Sequence, residues 1–431
     1  VPIPSSVSIR CRRSHYGLAH HVITDGAITG AGHEGNCMTN TAEVRLGNET
    51  TNDEPLLVVE DLRTHFTVPG GAVKAVDGVS LKLERGKTLG VVGESGSGKT
   101  ILSRSIMGLN VVANAVTTGS VRYAGMELVG QSPKQMKHLW GVEMAMVFQD
   151  PMTSLNPVVK VGRQLTEHVR QHLGMNKAAA KDVAVELLRS VRIPEPEARF
   201  DNYPHQMSGG MRQRVCIAIA LACGPKMLFA DEPTTALDVT VQHQILNLLA
   251  AQQRDRFMTM IMVTHDLGVV AGRTDDIAVM YAGKIVEKAP TGALFADMKH
   301  PYTQALLFSI PKTSNPKHTR LTAIAGRPPD LISPPPGCKF APRCPYAQDR
   351  CREEEPTLTA ADAAGHEYAC HFPIGTPESD EAFQRNLDAG VPQTLAAAGR
   401  VQATDDLDAL EHIVQTTVGS TPAGAGQEGG R

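Results

Sequence analysis

Tryptophan occurs once in 431 residues, and aromatic side chains make up only 4% of the chain. A core of any size must therefore be built from aliphatic side chains. Neither charge is in excess: 42 lysines and arginines face 45 aspartates and glutamates, a formal net charge of -3. That balance argues against a dedicated nucleic-acid binder, which carries a basic surplus. No apolar run approaches the roughly 18 residues of a membrane span. The densest, Val215 to Cys223, reads as a buried helix, so the chain is not expected to cross a bilayer by itself. The opening V-P-I-P-S-S-V-S-I-R-C-R-R has no apolar stretch after a basic start, so no secretory signal is expected. There is no internal repeat, so each module occurs once.

Hydrophobic residues are 42% and charged residues 20%, ordinary globular usage, and 431 residues suggest about two to three domains. Residues 1–54 are polar, with little periodicity, and are expected to form a disordered extension. The first methionine is Met38, so translation from Met38 stands as the alternative to a start at Val1. From Leu56 the pattern turns globular. L-L-V-V-E-D-L and A-V-D-G-V-S-L-K-L read as strands, and T-L-G-V-V (Thr88 to Val92) as a buried strand entering a glycine-rich turn. Short apolar strands then alternate with helical stretches to about residue 290, the pattern of an α/β sheet. Between Pro151 and Gln206 the strand signal disappears, and K-A-A-A-K-D-V-A-V-E-L-L-R-S-V has helical spacing, which predicts an inserted helical subdomain. Met280 to Val286 reads as a hairpin closing the sheet. Past Phe372 the composition becomes Ala-, Gly-, Thr- and Asp-rich, and residues 374–431 are expected to be a disordered tail.

Gly93-Glu94-Ser95-Gly96-Ser97-Gly98-Lys99-Thr100 fits G-x-x-x-x-G-K-[ST], between a strand and a helix predicted over Ile101 to Gly108. Glycines let backbone N–H groups turn inward around phosphates, and the helix start adds partial positive charge. Lys99 is suited to neutralise β- and γ-phosphates, and the Thr100 hydroxyl to bind Mg²⁺. Met227 to Asp231 is an apolar strand ending in two carboxylates: Asp231 suits Mg²⁺, and Glu232 is placed to polarise an attacking water. Alone, such a strand end is equally a solvated terminus. Ser208, Gly209 and Gly210 open the apolar helix. Ser208 is a good N-cap, and the same geometry is an anion site suited to a γ-phosphate. His265, after the strand T-M-I-M-V, can hydrogen-bond a γ-phosphate or the attacking water, although a lone histidine is more often structural. Gln149, after A-M-V-F, can reach Mg²⁺ or water; otherwise it is a loop amide.

Eight cysteines are present. Cys11 and Cys37 lie in the polar extension, and Cys216 and Cys223 read as small core residues. Cys338, Cys344, Cys351 and Cys370 have the spacing C-x5-C-x6-C-x18-C in a proline-rich segment. Without an export signal free thiols are the default, and four together suit a metal, either tetrahedral Zn²⁺ or an iron–sulfur cluster. Spacing does not choose between them. Few large apolar residues accompany them, so a bound group is expected to act mainly as a structural cross-link, with redox sensing as the alternative, and its loss is expected to leave the phosphate loop intact. His366 and His371 are expected to support the four sulfurs rather than to ligate.

The phosphate loop, Gln149, S-G-G-M-R-Q, M-L-F-A-D-E, Ala236-Leu237-Asp238 and His265 occur in the order of an ATP-binding cassette, and the chain resembles the nucleotide-binding subunits of ABC transporters over roughly residues 56–300. The signature reads M-S-G-G-M rather than the commoner L-S-G-G-Q, keeping the serine and both glycines. Gln149 to Pro157, Asp231 to Gln242, and His300-Pro301-Tyr302-Thr303 with the cysteine-rich segment are similar to the oligopeptide/dipeptide importer branch. The resemblance implies an α/β P-loop NTPase fold, with an ATP-binding domain at 55–300 (helical subdomain about 150–208) and a Cys-rich domain at 301–373. It further implies an ATP hydrolase with Glu232 and His265 as catalytic residues and Phe66 stacked on adenine. Two ATPs would lie in a head-to-tail dimer, with Ser208, Gly209 and Gly210 on the partner's ATP and Asp238 coupling the sites. A distinct second cassette subunit is expected, with permease subunits docked on Pro151 to Gln164 and an external peptide-binding protein acting indirectly. The implied location is peripheral on the cytoplasmic face of the inner membrane. Characterised members carry a [4Fe–4S] cluster in the C-terminal domain, which favours iron–sulfur over Zn²⁺ for the four cysteines. Cargo other than peptides (nickel, glutathione, a sugar) stands as an alternative, and a soluble cassette ATPase acting on DNA or ribosomes as a more distant one.

Overall fold

The computed structural model describes residues 54–235, 237–310 and 324–389. The predicted extension up to residue 53, and the predicted tail from residue 390 onward, lie outside the described residues. β1 (Leu57–Val68) and β2 (Gly71–Leu83), both expected as strands, pair antiparallel. β3 (Thr88–Val92), buried throughout, runs into the glycine-rich turn and α1 (Lys99–Ile106). This helix starts and stops two residues before the predicted Ile101 to Gly108. β4 (Ala115–Tyr123) pairs with β1, and β5 (Met126–Glu127) completes a four-stranded sheet in the order β2-β1-β4-β5.

α2 (Pro133–Met136) and β6 (Met144–Val147) precede the helical insertion. There α3 (Pro151–Ser154), α4 (Val161–Leu173), α5 (Lys177–Ser190) and α6 (Pro196–Phe200) replace strands, as expected. Leu165 and Val169 of α4 and Ala180, Ala184 and Leu188 of α5 fall at helical spacing and are buried in one core with α7 (Gly209–Leu221). Gly162 permits close packing, since a Cβ there would lie 2.4 Å from the Phe200 ring.

β7 (Met227–Asp231), α8 (Val239–Asp255), β8 (Thr259–Thr264), α9 (Leu267–Val270) and β9 (Asp276–Tyr281) restore the alternation. β6, β7, β8, β3 and β9 run parallel in that spatial order. Val92 of β3 stands opposite Thr264 of β8, and Asp231 of β7 opposite Val263. In this register the three strands end together, so the residues that follow them emerge at one edge, where open α/β sheets bind ligands. β8 lies between β3 and β7, so Asp231 comes from a strand one removed from the phosphate loop.

β9 and β10 (Lys284–Pro290) form the predicted hairpin through Ala282 and Gly283, at φ 47° and 84°. It does not close the sheet. After α10 (Thr291–Ala296), α11 (Pro301–Phe308) and α12 (Asp349–Glu353), the short strands β11 (Thr359–Ala360) and β12 (Glu367–Tyr368) extend the same sheet beyond β10. Tyr302, Leu306, Leu307 and Phe340 enter the core that holds α7 and α8. α13 (Pro377–Asp388) falls where the sequence suggested a disordered tail; Ala382 and Phe383 are buried on one side of it. Among the described residues no helix is long and apolar enough to cross a membrane.

Candidate nucleotide site and cysteine pocket

Two glycines fix the loop after β3. A Cβ on Gly93 would lie 2.1 Å from the Met280 carbonyl oxygen, and one on Gly98, at φ +102°, would lie 2.1 Å from that of Ala75. Gly98 caps α1 without a side chain, so the first N–H groups of the helix stay available to an anion. Gly96 and Ser95 are exposed, and the buried Ser97 hydroxyl has no hydrogen-bond partner. Lys99 is buried and donates from Nζ to the carbonyls of Gly93 (2.7 Å) and Glu94 (2.9 Å). Burial pushes its ammonium below the usual lysine range, opposed by Glu232, Asp231 and Glu94. Glu94 makes other contacts: its amide donates to the Tyr302 hydroxyl at 2.7 Å and its carboxylate pairs with Arg343.

The Thr100 hydroxyl donates to Asp231 Oδ1 at 2.9 Å. The other oxygen, Oδ2, is buried without a hydrogen-bond partner. Burial pushes this carboxyl up against the Thr100 hydrogen bond. A hydroxyl and an orphaned carboxylate oxygen side by side are the oxygen donors that Mg²⁺ takes, so this corner fits the predicted cation. Glu232 follows at φ 44°, its amide donating to Val263 O at 3.0 Å. Its Oε2 accepts from Gln149 Nε2 and from the Thr235 hydroxyl, both at 2.9 Å. His265 Nδ1 stands 3.6 Å from Oε1, an ion-pair distance rather than a hydrogen bond. Each lies where it favours the other's charge: His265 holds the Glu232 carboxyl down, and Glu232 holds the imidazole up. Thr235 is a site residue that the sequence reading assigned no role; its only signal is a hydroxyl one turn after Glu232.

Ser208 caps α7, its hydroxyl accepting from the Met211 N–H at 3.3 Å, and both Ser208 and Gly209 are exposed. Gly210 lies against Val241, where a Cβ would meet Cγ1 at 2.7 Å. Asp238 caps α8 by accepting from the Val241 N–H at 2.9 Å. Phe66 is half-buried on β1, opposite Val73 of β2 and Ala115 of β4.

Cys338, Cys344, Cys351 and Cys370 line one small pocket together with His371, Phe340 and Phe372, and all four are free thiols. Burial raises their neighbourhood's thiol values: Cys338 to about 11, Cys370 to about 12, Cys344 well above the ordinary value. Repulsion between the sulfurs adds to this for each of the three. Among the described residues, however, no group of three or more His, Cys, Asp or Glu is placed to hold a metal ion. The predicted iron–sulfur site is thus brought together as a pocket of four thiols, not as a placed ligand set. His366 is not at the sulfurs: its Nε2 is 2.8 Å from Glu287 Oε1 in a fully buried pair. His371 Nε2 is engaged by the Glu354 carbonyl at 3.0 Å.

Comparison with known proteins agrees with this geometry. Residues 76–235 match the family model described as ABC transporter, and residues 286–351 match the oligopeptide/dipeptide transporter, C-terminal region. The dipeptide transport ATP-binding protein DppD of Escherichia coli (strain K12) is 47% identical over 319 residues, covering 74% of this chain and 97% of that protein. The oligopeptide transport ATP-binding protein OppD of Bacillus subtilis (strain 168) is 51% identical over 304 residues, 70% of this chain and 85% of its own length. The fold is also that of the ATP-binding cassette MJ0796, in a dimeric post-hydrolysis structure bound to ADP and Pi. That match has TM-score 0.50 and 24% identity, covering 55% of this chain and 98% of that one. A phosphate loop facing an Asp–Glu strand end across a parallel sheet, on a chain that spans nearly all of such relatives, places it in a family: it belongs to the ABC transporter ATPases that carry the oligopeptide/dipeptide transporter C-terminal region.

Proposed function

We propose that this chain is the ATP-hydrolysing subunit that powers import of di- or oligopeptides through a separate membrane permease. The observation that carries the reading is the one sheet edge at which the phosphate loop, Asp231, Glu232, Gln149 and His265 meet. The loop amides from Gly93 to Thr100 and the Lys99 ammonium hold the phosphates, and Phe66 stacks on the base. Thr100, Asp231 and Gln149 hold Mg²⁺, which, when bound, offsets negative charge on the β- and γ-phosphates. Gln149 donates its amide N–H to Glu232, leaving its carbonyl oxygen for the cation. Glu232 takes the proton of the attacking water as general base, and His265 steadies that carboxylate and contacts the γ-phosphate. Exposed Ser208 and Gly209, with Gly210, meet the ATP of a second cassette in a head-to-tail dimer, and Asp238 couples the two sites. A heterodimer with a related subunit is favoured.

The permease docks on the insertion, where Met152 and Val158 expose 61% and 78% of their surface. The chain is then peripheral on the cytoplasmic face of the inner membrane, with an external binding protein supplying peptide. Residues 55–300 form the ATP-binding domain and 301–373 the Cys-rich region. The shared pocket of Cys338, Cys344, Cys351 and Cys370 supports a [4Fe–4S] cluster, or Zn²⁺ as the alternative; such a group, when bound, cross-links a proline-rich segment. Reconstitution with the neighbouring permease genes in vesicles tests the function. ATP-dependent uptake of a labelled dipeptide or oligopeptide is expected. Uptake of nickel, glutathione or a sugar in its place would overturn the cargo, and the absence of ATP hydrolysis would overturn the enzyme.

A further inference from the structure

A glutamate is an odd occupant of a loop built to receive phosphates. Glu94 is the second residue of that loop, and an uncompensated carboxylate there repels the nucleotide. Its compensation comes from 249 residues further along the chain. Arg343 is buried, and its guanidinium grips the Glu94 carboxylate in a two-pronged pair: Nη1 to Oε2 at 2.6 Å and Nη2 to Oε1 at 2.9 Å. The remaining N–H groups are also engaged, Nε with Ala325 O at 2.7 Å, Nη2 with Ile324 O at 3.3 Å and Nη1 with the Tyr281 hydroxyl at 3.2 Å. All five donors of the guanidinium are thereby used, so the side chain is fixed rather than free to follow solvent.

Glu94 is held at two further points. Its amide donates to the Tyr302 hydroxyl, another C-terminal residue, and its carbonyl receives Lys99 Nζ at 2.9 Å. Pro328, Pro329 and Leu331 of the same C-terminal region line one small pocket with Ser95, Gly96 and Ser97. We propose that Arg343 is a positioning residue for ATP binding: it clamps and neutralises the Glu94 carboxylate inside the phosphate loop, making the C-terminal region a working part of the nucleotide site. This rests on the ATP-binding reading of that loop.

The test uses the full chain with two variants, reading equilibrium binding of a fluorescent ATP analogue alongside steady-state hydrolysis. Arg343→Gln leaves Glu94 charged and unpaired, so ATP affinity should fall about tenfold or more, while kcat changes less than about threefold, because Glu232 and Asp231 are untouched. The double variant Glu94→Gln/Arg343→Gln removes both charges and leaves two neutral amides. It should recover affinity to within about threefold of wild type. The double variant also serves if Arg343→Gln alone fails to fold, since it buries no lone charge. Unchanged ATP affinity in Arg343→Gln, or a double variant as weak as the single or, if the single does not fold, about tenfold or more weaker than wild type, would overturn the clamp. A wild-type chain that bound no ATP would instead overturn the reading of the loop.

Discussion

Replacing Glu232 by glutamine changes one atom and removes one charge, which makes it the sharpest probe of hydrolysis. The side chain accepts hydrogen bonds from Gln149 and Thr235 on Oε2, both of which a glutamine carbonyl can keep, and faces His265 on Oε1 at 3.6 Å. Glutamine tolerates the φ of 44° no worse than glutamate. The fold and the phosphate cradle should therefore survive, while the proton acceptor is lost. Loss of a positioned general base costs about 10²- to 10⁴-fold in rate, equivalent to roughly 2.7–5.5 kcal/mol in the barrier. Phosphate release under saturating ATP and equilibrium nucleotide binding should be measured on the same preparation. Binding within about threefold of wild type, with release down at least about a hundredfold, is the expected pair of results. Release within about threefold of wild type would refute the assignment of the base.

Three other outcomes follow from the same geometry. Because Glu232 raises the His265 imidazole and is itself lowered by it, the His265 NMR titration should have a midpoint above the ordinary ~6.5 and drop toward it in Glu232→Gln; the sign makes the His265 contribution to stability full below ~6.5 and lost as pH rises through the raised value, while that of Glu232 is present above ~4.5 and lost as pH falls through the lowered one. An unchanged midpoint in the variant would mean the pair does not interact. Gly98→Ala should abolish ATP binding and cost about 1–3 kcal/mol in urea melts, because the new methyl group meets the Ala75 carbonyl at 2.1 Å in a left-handed backbone; a variant with wild-type affinity would remove the argument from close approach. If the cysteine pocket holds the proposed [4Fe–4S] cluster, elemental analysis of anaerobically purified chain should give about four irons; one zinc would keep the cysteine ligands but change the group, and metal-free protein with an ordered C-terminal region would dismiss both.

The parts of the candidate nucleotide site that the sequence marks are short and local. A strand–glycine turn–helix is written in consecutive residues, and Asp231-Glu232 announces itself as the polar end of an apolar strand. The order of strands was not written in this way. That β8 would insert between β3 and β7 follows from crossover connections that no single segment encodes. The first residues of the expected tail are helical instead, and the reason is compositional. Pro377 to Asp388 is polar on average, yet Thr376 accepts from the Ser379 N–H as an N-cap and Ala382 with Phe383 forms a narrow apolar stripe, enough for a docked helix. The cysteines were legible as a set, but their ligation was inferred from resemblance, not from spacing.

Arg343 was invisible because nothing in its neighbourhood of sequence points to residue 94. The same is true of the whole seam between cassette and C-terminal region. Glu287 of β10 is fully buried, and its carboxylate accepts from the Lys299 and His300 amides at 2.7 and 3.1 Å and meets His366 Nε2 at 2.8 Å. A buried carboxylate survives only when such partners surround it. Here one of them lies 79 residues away, beyond the proposed boundary at 300. Lys339 makes the reciprocal link, donating from a buried ammonium to Asp77 Oδ2 at 3.2 Å and to Ala282 O at 3.1 Å. Apolar contacts add to these, because Tyr281 of the cassette packs on Tyr302 and Phe340 with ring centroids 4.5 and 5.3 Å apart. Removing the chain after residue 300 would delete Tyr302 and Phe340, expose the Tyr281 ring and leave Glu287 without His366. The C-terminal region is thus better understood as the outer strands and inner wall of the cassette than as an appendix to it.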